Sequence, residues 1–172
     1  MTPQKPTAGR RARTGVKTEQ IVAERVVGGM MAKDEFSKWM GMSVVDVRPR
    51  TATVRMTVRA EMVNGFGVAH GGVAYSLADS ALAFASNTHG KVTVAINNAI
   101  SYPAAVNVGD VLTAVADSEG ESRRLGYYRV VVRNQDDAIV ATFTGTVYKT
   151  KDDHGAGRAG ETATTVENKG SK

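Results

Sequence analysis

The sequence predicts an α+β fold: a curled, mostly antiparallel sheet of six strands wrapped around one long central helix. Two observations lead there. Six segments are rich in β-branched and aromatic residues, and Asn-, Gly- and Asp-containing turns separate the later ones. The run HGGVAYSLADSALAFA, His70 to Ala85, is apolar or small on every side. A helix without a polar face is buried all round, so a sheet that accompanies it has to curl about it.

The elements follow in chain order. Residues 19–40 carry Ile21, Val22, Val26, Met30, Met31, Phe36, Trp39 and Met40 at helical spacing. They predict a covering helix interrupted around Gly28-Gly29. SVVDVRPR predicts a first strand turning at Pro49 into a hairpin with TATVRMTVR. The second strand alternates strictly, Ala52, Val54, Met56 and Val58 on one face against Thr51, Thr53, Arg55, Thr57 and Arg59 on the other. Period two marks a half-buried strand. The long helix follows over about 72–88, and then VTVAINNAISY, DVLTAVADSEG, LGYYRVVVRNQ and AIVATFTGTVYKT complete the six strands.

At 172 residues the chain makes one domain, placed at 19–150. Residues 1–18 hold Lys5, Arg10, Arg11, Arg13 and Lys17 with no acid, which leaves 17 cations against 17 anions in the remainder. The net charge of +5 therefore belongs to a basic arm, expected to be disordered, and gives no reason to invoke nucleic acid. The Gly-, Thr- and charge-rich stretch 151–172 is expected to be a second disordered tail. With no cysteine, disulfides, thiolate ligands and a cysteine nucleophile are excluded. No apolar run is long enough for a membrane span or a signal peptide, so a cytoplasmic address is expected. No His and acid pair has metal-ligand spacing, and no metal or separate cofactor is expected.

Asp79 is the one carboxylate in the apolar helix. It reads either as a structural acid bonded to a nearby hydroxyl, Tyr75 or Ser80, or as a reactive group. Burial raises a carboxyl pKa, and such an acid can attack an acyl carbon or take a proton from water. Gly71 and Gly72 open the same helix, where N–H groups lack intrahelical acceptors and the dipole is positive. That is an oxyanion site by physics, and also a plausible tight turn into a helix. Eight residues of helix separate Gly71 from Asp79, a rise of about 12 Å, too far for one carbonyl to touch both. Two antiparallel helices across a two-fold axis would bring them together, which makes a dimer part of the chemistry.

The segment MVNGFGVAHGGVAYSLADSALAFASNTHG, with VGDVLTAVADSEGESRRLGYYRVVVRNQDDAIVATFTG after it, resembles the PaaI-type thioesterases of phenylacetic acid degradation. The likeness covers roughly residues 33–150 and departs from the pattern at YPAAVNVGD. It implies the hotdog fold and hydrolysis of an aryl-acetyl or similar acyl-coenzyme A, with coenzyme A part of the substrate. It implies catalytic roles for Asp79 and the Gly71 amide. It places Asn64 on the thioester oxygen or the water, although Asn64-Gly65 is also a common turn pair. His70 is expected to orient the glycine loop. The resemblance implies substrate contacts at Gly72 and along the partner helix at Leu77, Ala78, Ser80 and Leu82, and a coenzyme A phosphate contact at Arg123 and Arg124. A Ser or Thr assists the acid in that family, and Thr93, Ala95 and Asn97 alternate onto one face of the strand after the helix. Assembly as a dimer, or a dimer of dimers, is the expected partner state. The rival reading is a non-catalytic acyl-coenzyme A-binding hotdog protein acting as a ligand sensor.

Overall fold

The computed structural model describes residues 9–155, with side chains from residue 15. Its elements are α1 (Gly9–Lys33), α2 (Glu35–Met40), β1 (Ser43–Arg48), β2 (Thr51–Thr57), α3 (Gly71–Asn87), β3 (Lys91–Ser101), β4 (Val111–Glu121), β5 (Leu125–Arg133) and β6 (Ile139–Asp153). The strands form one antiparallel sheet in the order β1-β2-β4-β5-β6-β3. β3 thus crosses the whole sheet to become an edge.

The alternation in β2 resolves as expected: Ala52, Val54, Met56 and Val58 are buried, and they meet Leu112, Ala114 and Ala116 of β4 and Val130 and Val132 of β5. Against this curved inner face lie Val73, Leu77, Leu82 and Phe84 of α3. Each such side chain contributes roughly 1.5–3 kcal/mol when fully removed from water. The helix is not covered all round, however. Tyr75, Ser76, Asp79, Ser80 and Ala83, one stripe at helical spacing, are only half-buried. Part of this stripe faces β3, whose edge exposes Val94 and Ile96.

Three expectations about the ends need correction. α1 runs unbroken through Gly28-Gly29, because Ala23, Val26 and Val27 bury beneath it and outweigh the roughly 1 kcal/mol each glycine costs a helix. The break falls at Asp34, whose carboxylate accepts from Ser37 N at 2.9 Å and Ser37 Oγ at 2.6 Å and so caps α2. Ile21, Phe36 and Trp39, expected in the cover, are exposed, and Trp39 instead sits beneath the Arg59 guanidinium at 5.8 Å. Residues 9–18 of the expected arm belong to α1, and β6 continues past residue 150 to Asp153. The disorder expected of residues 1–8 and 156–172 falls outside the described residues.

The far end of α3 is closed by a polar plug. Asn87 Nδ2 donates to Ala83 O and Thr93 O, while its Oδ1 accepts from Thr93 N and pairs with His154 Nε2 at 2.6 Å. Thr88 Oγ1 accepts from Arg50 N, tying the β1–β2 turn to the helix end. Every polar atom of the Asn87 side chain is thereby used, as its burial requires.

Candidate active site

His70 is the N-cap of α3, and its extended backbone (φ −60°, ψ 137°) turns the chain into the helix. A helix start leaves its first N–H groups without intrahelical acceptors. Here His70 N donates to Met62 O at 2.8 Å, Gly72 N to His70 Nδ1 at 2.9 Å and Val73 N to His70 O at 2.8 Å. Of these first N–H groups of α3, only that of Gly71 has no acceptor. That amide shares its peptide with the His70 carbonyl, which accepts from Val73, so the donor is polarised from behind. His70 Nδ1 is the acceptor in this bond, and Nε2 is left as the ring's other nitrogen. Glycine at 72 is a requirement of the cap: a Cβ there would lie 2.9 Å from His70 Nδ1.

Asp79 sits two turns further on, in the half-buried stripe. Its Oδ1 accepts from Asn98 Nδ2 at 2.9 Å, and the same amide donates to Tyr75 Oη at 3.1 Å. Burial holds the Asp79 carboxyl above its ordinary pKa, and the Asn98 hydrogen bond pulls the other way. Asn98 Oδ1 is buried without a partner. It fits because residue 145 on β6 is glycine: a Cβ there would be 2.5 Å from Leu82 Cδ2 and 3.0 Å from Asn98 Oδ1. Ser80 points elsewhere, its Oγ 3.1 Å from Ser37 Oγ, which secures α2 against the helix.

Asn64 begins a four-residue turn closed by Gly67 N on Asn64 O at 3.0 Å, with Gly67 in the left-handed region at φ 78°. Its Oδ1 accepts from Phe66 N at 2.8 Å. The turn therefore consumes the side-chain oxygen and leaves the amide Nδ2 as the group open to a ligand.

Other expected site residues separate. Leu77, Ala78 and Leu82, expected along the acyl pocket, are fully buried in the protomer's own core and packed against its own sheet. Arg123 and Arg124 lie exposed in the β4–β5 turn. Glu121 beside them pairs with Arg50, whose amide is bound to Thr88, so they sit at the C-terminal end of α3. Gly71 is at the other end, about 25 Å away along 17 residues of helix. Thr93 is inside the polar plug and Asn97 is exposed; neither reaches Asp79.

Sequence reasoning missed two residues. Asn98 is the partner of Asp79, and Tyr102 donates its hydroxyl to Gly71 O at 3.1 Å. The signal for the first was an Asn-Asn pair inside a strand otherwise rich in β-branched residues. A cavity of about 320 Å³ opens at the helix start between His70, Gly71, Ala74, Tyr102 and the loop 103–106. Asp79 of the same chain does not line it. Among the described residues no three His, Asp or Glu side chains gather as a metal site, and no helix is long and apolar enough to cross a membrane.

This arrangement offers a lone amide donor at a positive helix end and, on the same helix, a proton-hungry carboxylate beside an open edge. Such parts suit addition to a carbonyl and stabilisation of the oxygen it charges. Comparison with known proteins gives the family. Residues 66–141 match the profile of the Thioesterase superfamily. The acyl-coenzyme A thioesterase PaaI of Escherichia coli is 36% identical over 116 residues, 67% of this chain and 83% of that protein. Its solved structure superposes with a TM-score of 0.77 at 32% identity, covering 78% of this chain and 97% of that one. A variant of the phenylacetic acid degradation protein PaaI from Thermus thermophilus gives 0.66 at 40% identity, covering 68% and 100%. A Streptococcus mutans protein solved with acetyl-coenzyme A gives 0.66 at 25% identity, covering 70% and 98%. The chain belongs to the PaaI-type acyl-coenzyme A thioesterase family and has its hotdog fold.

Proposed function

We propose that this protein hydrolyses the thioester of an aryl-acetyl-coenzyme A or a similar acyl-coenzyme A, in a site shared by two protomers. The observation that carries the reading is Asp79, a half-buried carboxylate held by Asn98 in the uncovered stripe of α3. The Asp79 carboxylate takes a proton from water as the water adds to the acyl carbon; alternatively it adds itself and water opens the resulting anhydride. Either way the carbonyl oxygen becomes an oxyanion, which the Gly71 N–H of the other protomer receives, with Asn64 Nδ2 beside it. Collapse of the adduct breaks the C–S bond and releases the coenzyme A thiolate, which becomes the free thiol with the proton that water supplies, at addition in the first route and at opening of the anhydride in the second. Carboxylate and thiol are the products.

Pairing of two chains through the open β3 edge, with their α3 helices antiparallel, fits the one-chain separation of Gly71 and Asp79. It also sets Arg123 and Arg124 of one protomer at the Gly71 end of the other, where their exposed guanidinium groups suit coenzyme A phosphates. The acetyl-coenzyme A in the Streptococcus mutans relative supports that ligand class. The test is Asp79→Asn with a panel of aryl- and alkyl-coenzyme A esters, following thiol release. Hydrolysis should be lost with ester affinity kept; unchanged turnover would refute the assignment, and a wild type that binds the esters without cleaving them would make the protein a sensor.

A further inference from the structure

We propose that Tyr102 is a positioning residue for the oxyanion amide, holding the first peptides of α3 so that Gly71 N–H alone faces the substrate. The inference rests on the hydrolase reading above. The Gly71–Gly72 peptide is gripped at both ends: its carbonyl oxygen accepts from Tyr102 Oη at 3.1 Å and its N–H is bound by His70 Nδ1 at 2.9 Å. A peptide fixed at both poles cannot rotate, and this sets the ψ of Gly71 and with it the aim of the neighbouring Gly71 N–H. The Tyr102 ring adds a steric stop. A Cβ on Gly71 would lie 3.2 Å from its Cζ and 3.3 Å from its Oη, so the ring rests directly on the Gly71 backbone. Burial, with Tyr75 nearby, keeps the phenol pKa above its ordinary value, so the hydroxyl remains a donor.

Position in the chain makes this a constraint from outside the helix. Tyr102 follows the last residue of β3 and precedes Pro103, which begins the loop walling the cavity at the helix start. The same side chain therefore fastens the cavity wall to the amide that bounds the cavity. The loop that follows Tyr102 contributes only the apolar side chains of Pro103, Ala104, Ala105 and Val106 to that wall. Tyr102 does not touch the reacting atoms; it acts through Gly71.

Tyr102→Phe keeps the ring and removes the donor. With phenylacetyl-coenzyme A as the probe, kcat should fall about 3- to 10-fold, the range spanned by one neutral hydrogen bond, while KM stays within about twofold. The acid limb of the pH profile should stay in place, because that limb belongs to Asp79. A residue that merely braced the loop would instead lower the melting temperature and leave kcat unchanged, and that result overturns the proposal. The wild type run alongside separates the two readings. If it releases no thiol from any ester, the hydrolase assignment falls and the role of Tyr102 falls with it. Brisk turnover by the wild type and an equally fast Tyr102→Phe would overturn the positioning role only.

Discussion

Proline at position 71 would remove one atom's worth of chemistry and little else. The Gly71 N–H is the single amide at the start of α3 without an acceptor, so its loss breaks no protein hydrogen bond. Residue 71 is the first helical position, where proline is favoured, and His70 before it already has the extended φ −60°, ψ 137° that a residue preceding proline needs. The one crowded contact is the Tyr102 ring, which is about half exposed and has to give by a few tenths of an ångström, at the expense of its own hydrogen bond to the residue 71 carbonyl. Gly71→Pro should fold normally and lose about 10²- to 10³-fold in kcat, the usual cost of deleting an oxyanion donor. Asp79→Asn should be equally silent for a different reason. When the two inactive proteins are unfolded together at equal concentration and refolded, random pairing makes about half the dimers mixed. Each mixed dimer then joins an intact Gly71 to an intact Asp79 at one of its two sites, or about a quarter of wild-type thiol release in all. If both groups served one carbonyl from the same chain, no pairing would restore a site. A mixture no more active than its parents, with exchange verified by mass spectrometry of the native dimers, refutes the shared cleft.

Two further outcomes follow from the same geometry. Because burial raises the Asp79 pKa and the reaction needs the carboxylate, kcat/KM should fall as pH drops through a value above the ordinary Asp range near 4, which a pH–rate profile measures. The stability sign is opposite to that of a salt-bridged acid: below the unfolded pKa the group is neutral in both states and costs nothing, and above the folded pKa its ionisation penalises the native state. Asp79→Asn should therefore melt higher than wild type at neutral pH, with the gap closing in acid. Leu82→Ala should cost about 2–5 kcal/mol in urea denaturation, as a core residue. Gly145→Ala, which on its own meets Leu82 Cδ2 at 2.5 Å and overpacks the core, should be tolerated far better in the Leu82→Ala background.

How far the chain could be read depended on whether the signal was local. The strand of Ala52, Val54 and Met56 was legible because period-two alternation records one buried face residue by residue. Gly71 and His70 were legible because a helix start makes the same demands wherever it occurs. The core placement of Leu77, Ala78 and Leu82 was not legible because a helix this apolar gives no amphipathic bias to separate its inward side from its outward one. The bias was carried instead by its few polar members: Tyr75, Ser76, Asp79 and Ser80 fall together on the half-buried stripe. Gly28-Gly29 misled for the converse reason, since local helix propensity yields to the packing of Ala23, Val26 and Val27.

The partner of Asp79 escaped through a single inserted residue. Counting by twos from Thr93 leads to Ala95 and Asn97, and in a regular strand those would face the helix. In β3 the pairing with β6 steps from Ala95↔Val147 to Asn97↔Thr146, so Ile96 is an extra residue without a partner of its own. A bulge of one residue reverses the parity of everything after it. Thr93 still points inward, but beyond Ile96 the inward set becomes Asn98 and Ile100, and Asn97 turns to solvent. The irregularity thus delivers an amide donor to Asp79 and leaves Ile96 exposed on the sheet's open edge. Both effects fall in the stretch of β3 where the proposed second protomer would pair, so the bulge links the aim of the acid to the surface that completes its site.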